Sequence, residues 1–240
     1  MTKKIKVGIP GLDDLLKGGL REGSSVLVTG PPGTGKTIFA LQFIIEGAKK
    51  GEPGIYITSE ETVDDLREYA IGLGWPIKEL EKKGLITIIQ QSVSPKKLMT
   101  IATPLTIIKQ RKIKRVVLDS VTLFEYSSIS GEMDYRKEVL DFVIKMKESK
   151  VNLLTVSEKS IPNIDRIEYE PEDFLFEGLI ILTRIRKNQS FEKVIIIPKM
   201  RGQDHVTDIV PFKIEKDGIK IFPKQIPFNL IEKDVVENIK

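Results

Sequence analysis

Gly30-Pro31-Pro32-Gly33-Thr34-Gly35-Lys36-Thr37 satisfies the pattern G-x-x-x-x-G-K-[ST] at every position. Glycines at 30, 33 and 35 let the backbone turn inward so that successive N–H groups face one centre. Such a nest, reinforced by the dipole of a following helix, stabilises the charge of a β-phosphate. Lys36 can then reach the β- and γ-phosphate oxygens and the Thr37 hydroxyl can ligate magnesium, so the residues from Gly30 to Ile38 are candidate contacts for ATP and Mg2+. The loop functions between a strand and a helix, and both are written beside it. Val26-Leu27-Val28 reads as a buried strand, while Ile38, Leu41, Ile44, Ile45 and Ala48 mark one helical face that Gly51 can terminate.

A phosphate loop alone does not place the metal. Arg115-Val116-Val117-Leu118-Asp119 is an apolar strand ending in an acid, the setting in which an aspartate holds the magnesium shell through water. Glu60 and Glu61 follow a strand expected at 54–58, and in an open α/β sheet the carboxyl ends of strands face the ligand. One of them can polarise an attacking water by accepting its proton. Adjacent residues of an extended chain point oppositely, so at most one is expected to aim at the γ-phosphate, the other capping the helix that opens at Thr62.

To bring these groups to one edge, the chain has to build parallel strands joined by helices. Short β-branched runs at 25–29, 54–58, 85–89, 115–118 and 151–156 alternate with amphipathic stretches, the grammar of βαβ units. Beyond the helix after the phosphate loop, helices are expected from Thr62, with Asp64 and Asp65 in the first turn, from 96 to 110, and from 132 to 149, where Val139, Val143 and Met146 share a face. After residue 178 the grammar changes to strands without helices, at 178–185, 193–199, 210–214 and 218–222, which read as an antiparallel extension of the same sheet. The fold class is therefore α/β, a mostly parallel central sheet flanked by helices. With no linker or repeat between the two parts, residues 1–228 are expected as one domain and 229–240 as a short polar helix or disordered tail.

Composition removes other chemistries. The 240 residues include no cysteine and one histidine, which excludes disulfides, thiolate zinc, thiol catalysis and multi-histidine metal sites. No apolar run approaches membrane-spanning length and the amino terminus lacks a signal-like apolar segment, so a soluble, cytoplasmic protein is expected. A net charge of +4 from 38 basic and 34 acidic residues is a weak pointer to nucleic acid. The 30% charged content fits a thermophile, in which ion-pair networks gain value.

Further segments carry a family resemblance. Ile9-Pro10-Gly11-Leu12-Asp13-Asp14-Leu15-Leu16-Lys17-Gly18-Gly19-Leu20, Glu52-Pro53-Gly54-Ile55-Tyr56-Ile57-Thr58-Ser59-Glu60-Glu61 and Lys199-Met200-Arg201-Gly202 with His205 resemble the KaiC family within the RecA-like P-loop NTPases. The resemblance runs from about residue 5 to 223 as a single domain, nearer the ATPase-only than the self-phosphorylating domain of that family. It implies a homo-oligomeric, hexameric ring with ATP at subunit interfaces. It also implies Lys199 and Arg201 reaching the neighbour's γ-phosphate, Arg201 as an arginine finger, with His205 near the sugar, Glu60 and Glu61 as the catalytic glutamate pair, and Ser157 with Glu158 sensing the nucleotide. Where the self-phosphorylating domain carries its serine and threonine, this chain reads Glu172-Asp173-Phe174-Leu175-Phe176-Glu177, with no hydroxyl to accept phosphate and with charge expected on a solvated loop. Arg21 stands where the family has proline, a change expected to affect only a turn.

The expected function is a slow Mg-dependent ATPase acting as an oligomeric switch or timer. One alternative is a recombination accessory ATPase that binds DNA. The segment from Glu158 to Glu177 opposes it, with seven acids against Lys159 and Arg166, and the cluster Lys109-Gln110-Arg111-Lys112-Ile113-Lys114-Arg115 reads as a solvated helix end. The other alternative is a scaffold in which ATP only holds subunits together. An intact set of Lys36, Thr37, Glu61, Asp119 and Arg201 favours hydrolysis over that scaffold.

Overall fold

The computed structural model describes residues 3–91, 102–124, 132–161, 164, 166–187 and 189–227. The chain opens with β1 (Lys4–Ile5), α1 (Leu12–Leu15) and β2 (Leu20–Arg21), of which β1 and β2 form a small antiparallel ribbon. There follow β3 (Ser25–Gly30), α2 (Lys36–Lys49), β4 (Gly54–Thr58), α3 (Val63–Gly72), α4 (Ile77–Lys82), β5 (Ile86–Gln90), α5 (Ala102–Gln110), β6 (Arg115–Asp119), α6 (Glu132–Glu148) and β7 (Asn152–Glu158). The last strands are β8 (Gly178–Lys187), β9 (Ser190–Met200), β10 (Val210–Glu215) and β11 (Gly218–Ile221). The spatial order in the nine-stranded sheet is β11-β10-β9-β8-β3-β7-β6-β4-β5. From β5 to β8 all pairs are parallel, and β9, β10 and β11 continue the sheet antiparallel.

β3 lies between β7 and β8, buried along its whole length, so its centre at Val26, Leu27 and Val28 is apolar on both faces. The pleat divides it: Val26 and Val28 join the core beneath α2, and Leu27 joins the one beneath α6. Strand and helix positions follow the periodicity, with ends moved by up to three residues because the last hydrogen bonds depend on neighbours. Thr62 caps α3 with a reciprocal Asp65 box, so the cap comes from Thr62 rather than from a glutamate. The short α4 carries too little periodicity to be read in advance. Residues 96–101 of the expected third helix, and the tail from 229, lie outside the described residues. Among the described residues no helix is long and apolar enough to cross a membrane.

The antiparallel extension is bound to the phosphate-loop helix. Gln42 of α2 donates Nε2 to the Ile219 carbonyl at 3.1 Å and accepts the Ile219 amide at 2.7 Å, pairing like one more strand residue. Trp75 donates Nε1 to the Asp217 carbonyl beside it.

In the basic run 109–115 the helix end is solvated as expected, with Lys109, Arg111, Lys112 and Lys114 exposed, but Arg115, the first residue of β6, is completely buried. Its guanidinium donates to the carbonyls of Lys6, Val7 and Phe43 and to Glu52 at 2.7–3.0 Å, and it lies over the Phe43 ring. Gly47 gives it room, since a Cβ there would overlap the guanidinium. One side chain thus joins β6, α2 and the amino-terminal segment, and the full set of partners offsets its desolvation. Arg115→Ala would leave three carbonyls and a carboxylate without their donor. We expect it to lower stability by about 3–5 kcal/mol, read from the denaturant midpoint at unchanged slope.

Candidate active site

At the carboxyl edge of the parallel strands lies a cavity of about 480 Å³. The loop after β3 forms its floor, α3 one wall, and the ends of β4, β6 and β7 the other. Gly30 must be glycine, as its φ is 147° and a Cβ would fall on the Leu182 carbonyl of β8. From the loop, Pro32, Gly33, Gly35, Lys36, Thr37 and Ile38 line the cavity. Gly30 and Pro31 instead turn carbonyls to the Lys36 amino group at 2.9 and 3.1 Å, and Thr34 is buried with its hydroxyl on Pro31. Glu158 lies 3.6 Å from Lys36. Burial lowers the Lys36 pKa, against the opposing fields of Glu158 and Asp119.

Asp119 ends β6 beside Thr58 of β4 and lines the cavity. Its Oδ2 accepts a 2.6 Å hydrogen bond from Tyr56, one strand away. Burial is the main reason its pKa is raised to about 6, with Glu60 adding to the rise and the bonds from Tyr56 and Thr37 opposing it. Tyr56 is itself pushed well above the usual phenol range, first by burial and then by Asp119. The Asp119–Ser120 peptide is cis.

Glu60 and Glu61 both line the cavity. Strand alternation does not extend to them, because β4 stops at Thr58, whose hydroxyl bonds both the amide and the carbonyl of Glu61 and so folds 58–61 into a turn. Glu60 Oε1 accepts from Ser120 at 2.5 Å and Thr122 at 3.1 Å, and Glu61 accepts from Tyr69 of α3 at 3.3 Å.

The remaining expected residues do not converge here. The Ser157 hydroxyl is buried against Thr29 inside the sheet, while its neighbour Glu158 reaches the cavity. Lys199, Arg201 and His205 are absent from the lining. Register explains why: Met200 pairs with Gly178, which pairs with Val26 near the start of β3, whereas the phosphate loop follows its end. Five residue steps of strand separate the two edges by on the order of 17 Å. At the far edge Lys199 donates to the Asp173 carbonyl at 2.7 Å, the Arg201 side chain is exposed, and His205 Nε2 is buried without a hydrogen-bond partner among the described residues. Burial and the nearby Arg201 lower the Lys199 pKa.

Two expectations at this edge are corrected. Arg21 does more than alter a turn: its Nη1 donates to the Gly202 carbonyl at 3.2 Å and its Nη2 lies 3.9 Å from Glu177, bracing the loop after Arg201. Asp173 is not on a solvated loop but 3% exposed and paired with Lys159. Burial and neighbouring Glu170 raise the half-buried Glu172 to about 7.

Tyr56, Tyr69, Ser120, Thr122, Arg184 and Lys193 were not singled out as site residues from the sequence. The last two face each other across β8 and β9 and donate to the loop-apex carbonyls of Pro32 and Gly33 at 2.9 and 2.7 Å. A basic residue in each of two neighbouring strands expected to pair antiparallel was the available clue.

Among the described residues no cluster of three or more acidic or histidine side chains could cage a metal. Thr37 and Asp119 nevertheless suit magnesium, which takes one or two protein oxygens and completes its shell with phosphate and water. A carboxylate so far desolvated that its pKa rises to about 6 gains from a cation beside it. The raised value means that charged Asp119 costs stability above pH 6, a cost that disappears as pH falls toward 4. With chelator and without nucleotide, we expect Asp119→Asn to be more stable than the parent by up to about 3 kcal/mol at pH 7.5, with the difference vanishing near pH 4 in melts across that range.

Comparison with known proteins identifies the family and the fold. The family described as "ATPase: KaiC" matches residues 5–226. The chain is 34% identical over 231 residues to the circadian clock oscillator protein KaiC of Parathermosynechococcus lividus, covering 92% of this chain and 42% of that protein. It therefore spans less than half the length of that clock relative. It is 30% identical over 245 residues to the UPF0273 protein MK0039 of Methanopyrus kandleri, covering 94% of each. The crystal structure of the KaiC-like protein PH0186 from Pyrococcus horikoshii superposes with a TM-score of 0.81 at 33% identity, covering 93% of this chain and all of that one. The chain belongs to the KaiC-like ATPases.

Proposed function

We propose that this protein is a Mg-dependent ATPase that turns over slowly in a ring of identical subunits and serves as a molecular switch or timer. The observation that carries the reading is the division of one sheet between two edges. Lys36, Thr37, Glu60, Glu61 and Asp119 meet in a cavity at one edge, and Lys199 and Arg201 stand at the other. Residues at the far edge cannot serve their own loop, but they can serve the loop of a neighbour packed head to tail, an arrangement that closes into a ring.

In this mechanism the loop amides and Lys36 hold the β- and γ-phosphates. Thr37 and Asp119 hold magnesium, which when bound neutralises phosphate charge. The Glu60–Glu61 pair, fixed by Ser120, Thr122 and Tyr69, orients a water and accepts its proton. Arg201 of an adjacent subunit stabilises the charge that develops on the transferred phosphoryl group. Lys36 leaves Glu158 and the Gly30 and Pro31 carbonyls when it turns to the phosphates.

Steady-state phosphate release against protein concentration tests the assembly. Specific activity should rise with concentration and then level off. Arg201→Ala should retain ATP binding and lose turnover by about 10³-fold, the scale of an arginine finger. Bound ATP with no phosphate release from the parent chain would leave only the scaffold, and stimulation by single-stranded DNA would favour the recombination reading.

A further inference from the structure

Among the described residues, Lys159 and Asp173 form an ion pair with both side chains buried that the mechanism above does not use. Lys159 Nζ lies 2.6 Å from Asp173 Oδ2, with side chains 5% and 3% exposed. Two charges so completely removed from water are costly unless geometry and further hydrogen bonds offset the loss, and an apolar pair of similar size would serve packing as well or better. The connections at each end of this pair are informative.

At one end, Lys159 immediately follows Glu158, the residue beside Lys36. The Lys159 amide donates to the Gly30 carbonyl at 3.2 Å, the same carbonyl that accepts from Lys36 Nζ. At the other end, Asp173 Oδ2 also accepts the Glu170 amide at 2.8 Å, and Glu170 and Asp173 cap the Pro171–Phe174 turn reciprocally. The carbonyl of that same Asp173 receives Lys199 Nζ at 2.7 Å, with Phe174 beneath the Lys199 ammonium. A continuous set of hydrogen bonds therefore runs from the subunit's own phosphate loop, through Lys159 and Asp173, to the lysine it presents at the opposite edge.

We propose that Lys159 and Asp173 are a positioning pair, which fixes Lys199 relative to the phosphate loop of its own subunit and so makes help given to the neighbour's nucleotide depend on the loop of the subunit that gives it. The inference rests on the ring reading above. Drawing Lys36 toward phosphate releases Glu158 and one of the donors on Gly30, the two groups that flank Lys159. The Pro171–Phe174 turn then follows Lys159, and Lys199 follows the turn.

A double-mutant cycle on the full chain tests the proposal by ATP turnover. Lys199→Ala should lower kcat by about 10²-fold, and Asp173→Asn by about tenfold or more with KM for ATP within about twofold. Combined, they should be no worse than Lys199→Ala alone, because the pair acts only through Lys199. Asp173→Asn leaves Lys159 charged and buried and can unfold the chain, so Lys159→Met/Asp173→Asn, which removes both charges, is measured in parallel with its melting temperature. That variant should give the same loss of kcat and the same non-additivity with Lys199→Ala. Losses that multiply with Lys199→Ala, or wild-type kcat in the folded pair variant, would overturn the proposal while leaving the ring reading intact. Wild-type turnover in Lys199→Ala would also overturn the proposal, whereas wild-type turnover in Arg201→Ala, or specific activity independent of protein concentration, would remove the ring reading itself.

Discussion

Parallel strands joined by crossover helices all end on the same edge, and this constraint organises the whole molecule. Each strand delivers the residue after its last hydrogen bond to that edge, so β3, β4, β6 and β7 bring a phosphate loop, two glutamates, an aspartate and Glu158 together from positions far apart in sequence. The edge is also where amides at the start of α2 lack helical partners, leaving a field suited to anions. When the chain reverses at β9, the next strand necessarily ends on the opposite edge. Lys199 and Arg201 are thereby separated from the cavity by the length of the sheet.

Besides Lys36 of the phosphate loop, Arg115, Asp119 and the Lys159–Asp173 pair hold charge in the interior, each by a different physical means. Arg115 is satisfied completely, by three carbonyls and Glu52, and its role is to join elements. Asp119 is bonded by Tyr56 and Thr37, but burial outweighs those bonds and its pKa rises to about 6. A carboxylate held in that condition has a strong preference for a cation, which is useful next to a phosphate loop. Lys159 and Asp173 satisfy one another and use their remaining hydrogen-bonding capacity on the two segments that the assembly would have to coordinate.

Much of this was legible in the chain because it is local. A phosphate loop is a run of contiguous residues whose glycines are required by the turn itself, and periodicity reports which face of each element is buried. The nine strands of the main sheet and the helices at 36–49, 63–72 and 132–148 follow from that information, with only their ends displaced. The errors arose where side-chain environment depends on elements distant in sequence. Arg115 and Asp173 read as solvated because charged residues in charged runs are solvated by default, and only packing showed the carbonyls and the lysine waiting for them. Arg21 looked like a turn variation because its partners, Gly202 and Glu177, are more than 150 residues away.

The sequence by itself therefore determined the loop, its strand and helix, the α/β class and the identity of the candidate acids, since each depends on neighbours within one element or on the period of burial. Tertiary structure decided which residues share a cavity, that both Glu60 and Glu61 face it, that Tyr56 holds Asp119, and that Lys199 and Arg201 stand on the opposite edge. These depend on register and strand direction. Register and direction come from the whole sheet burying its two faces at once, a condition that no single segment of the chain contains.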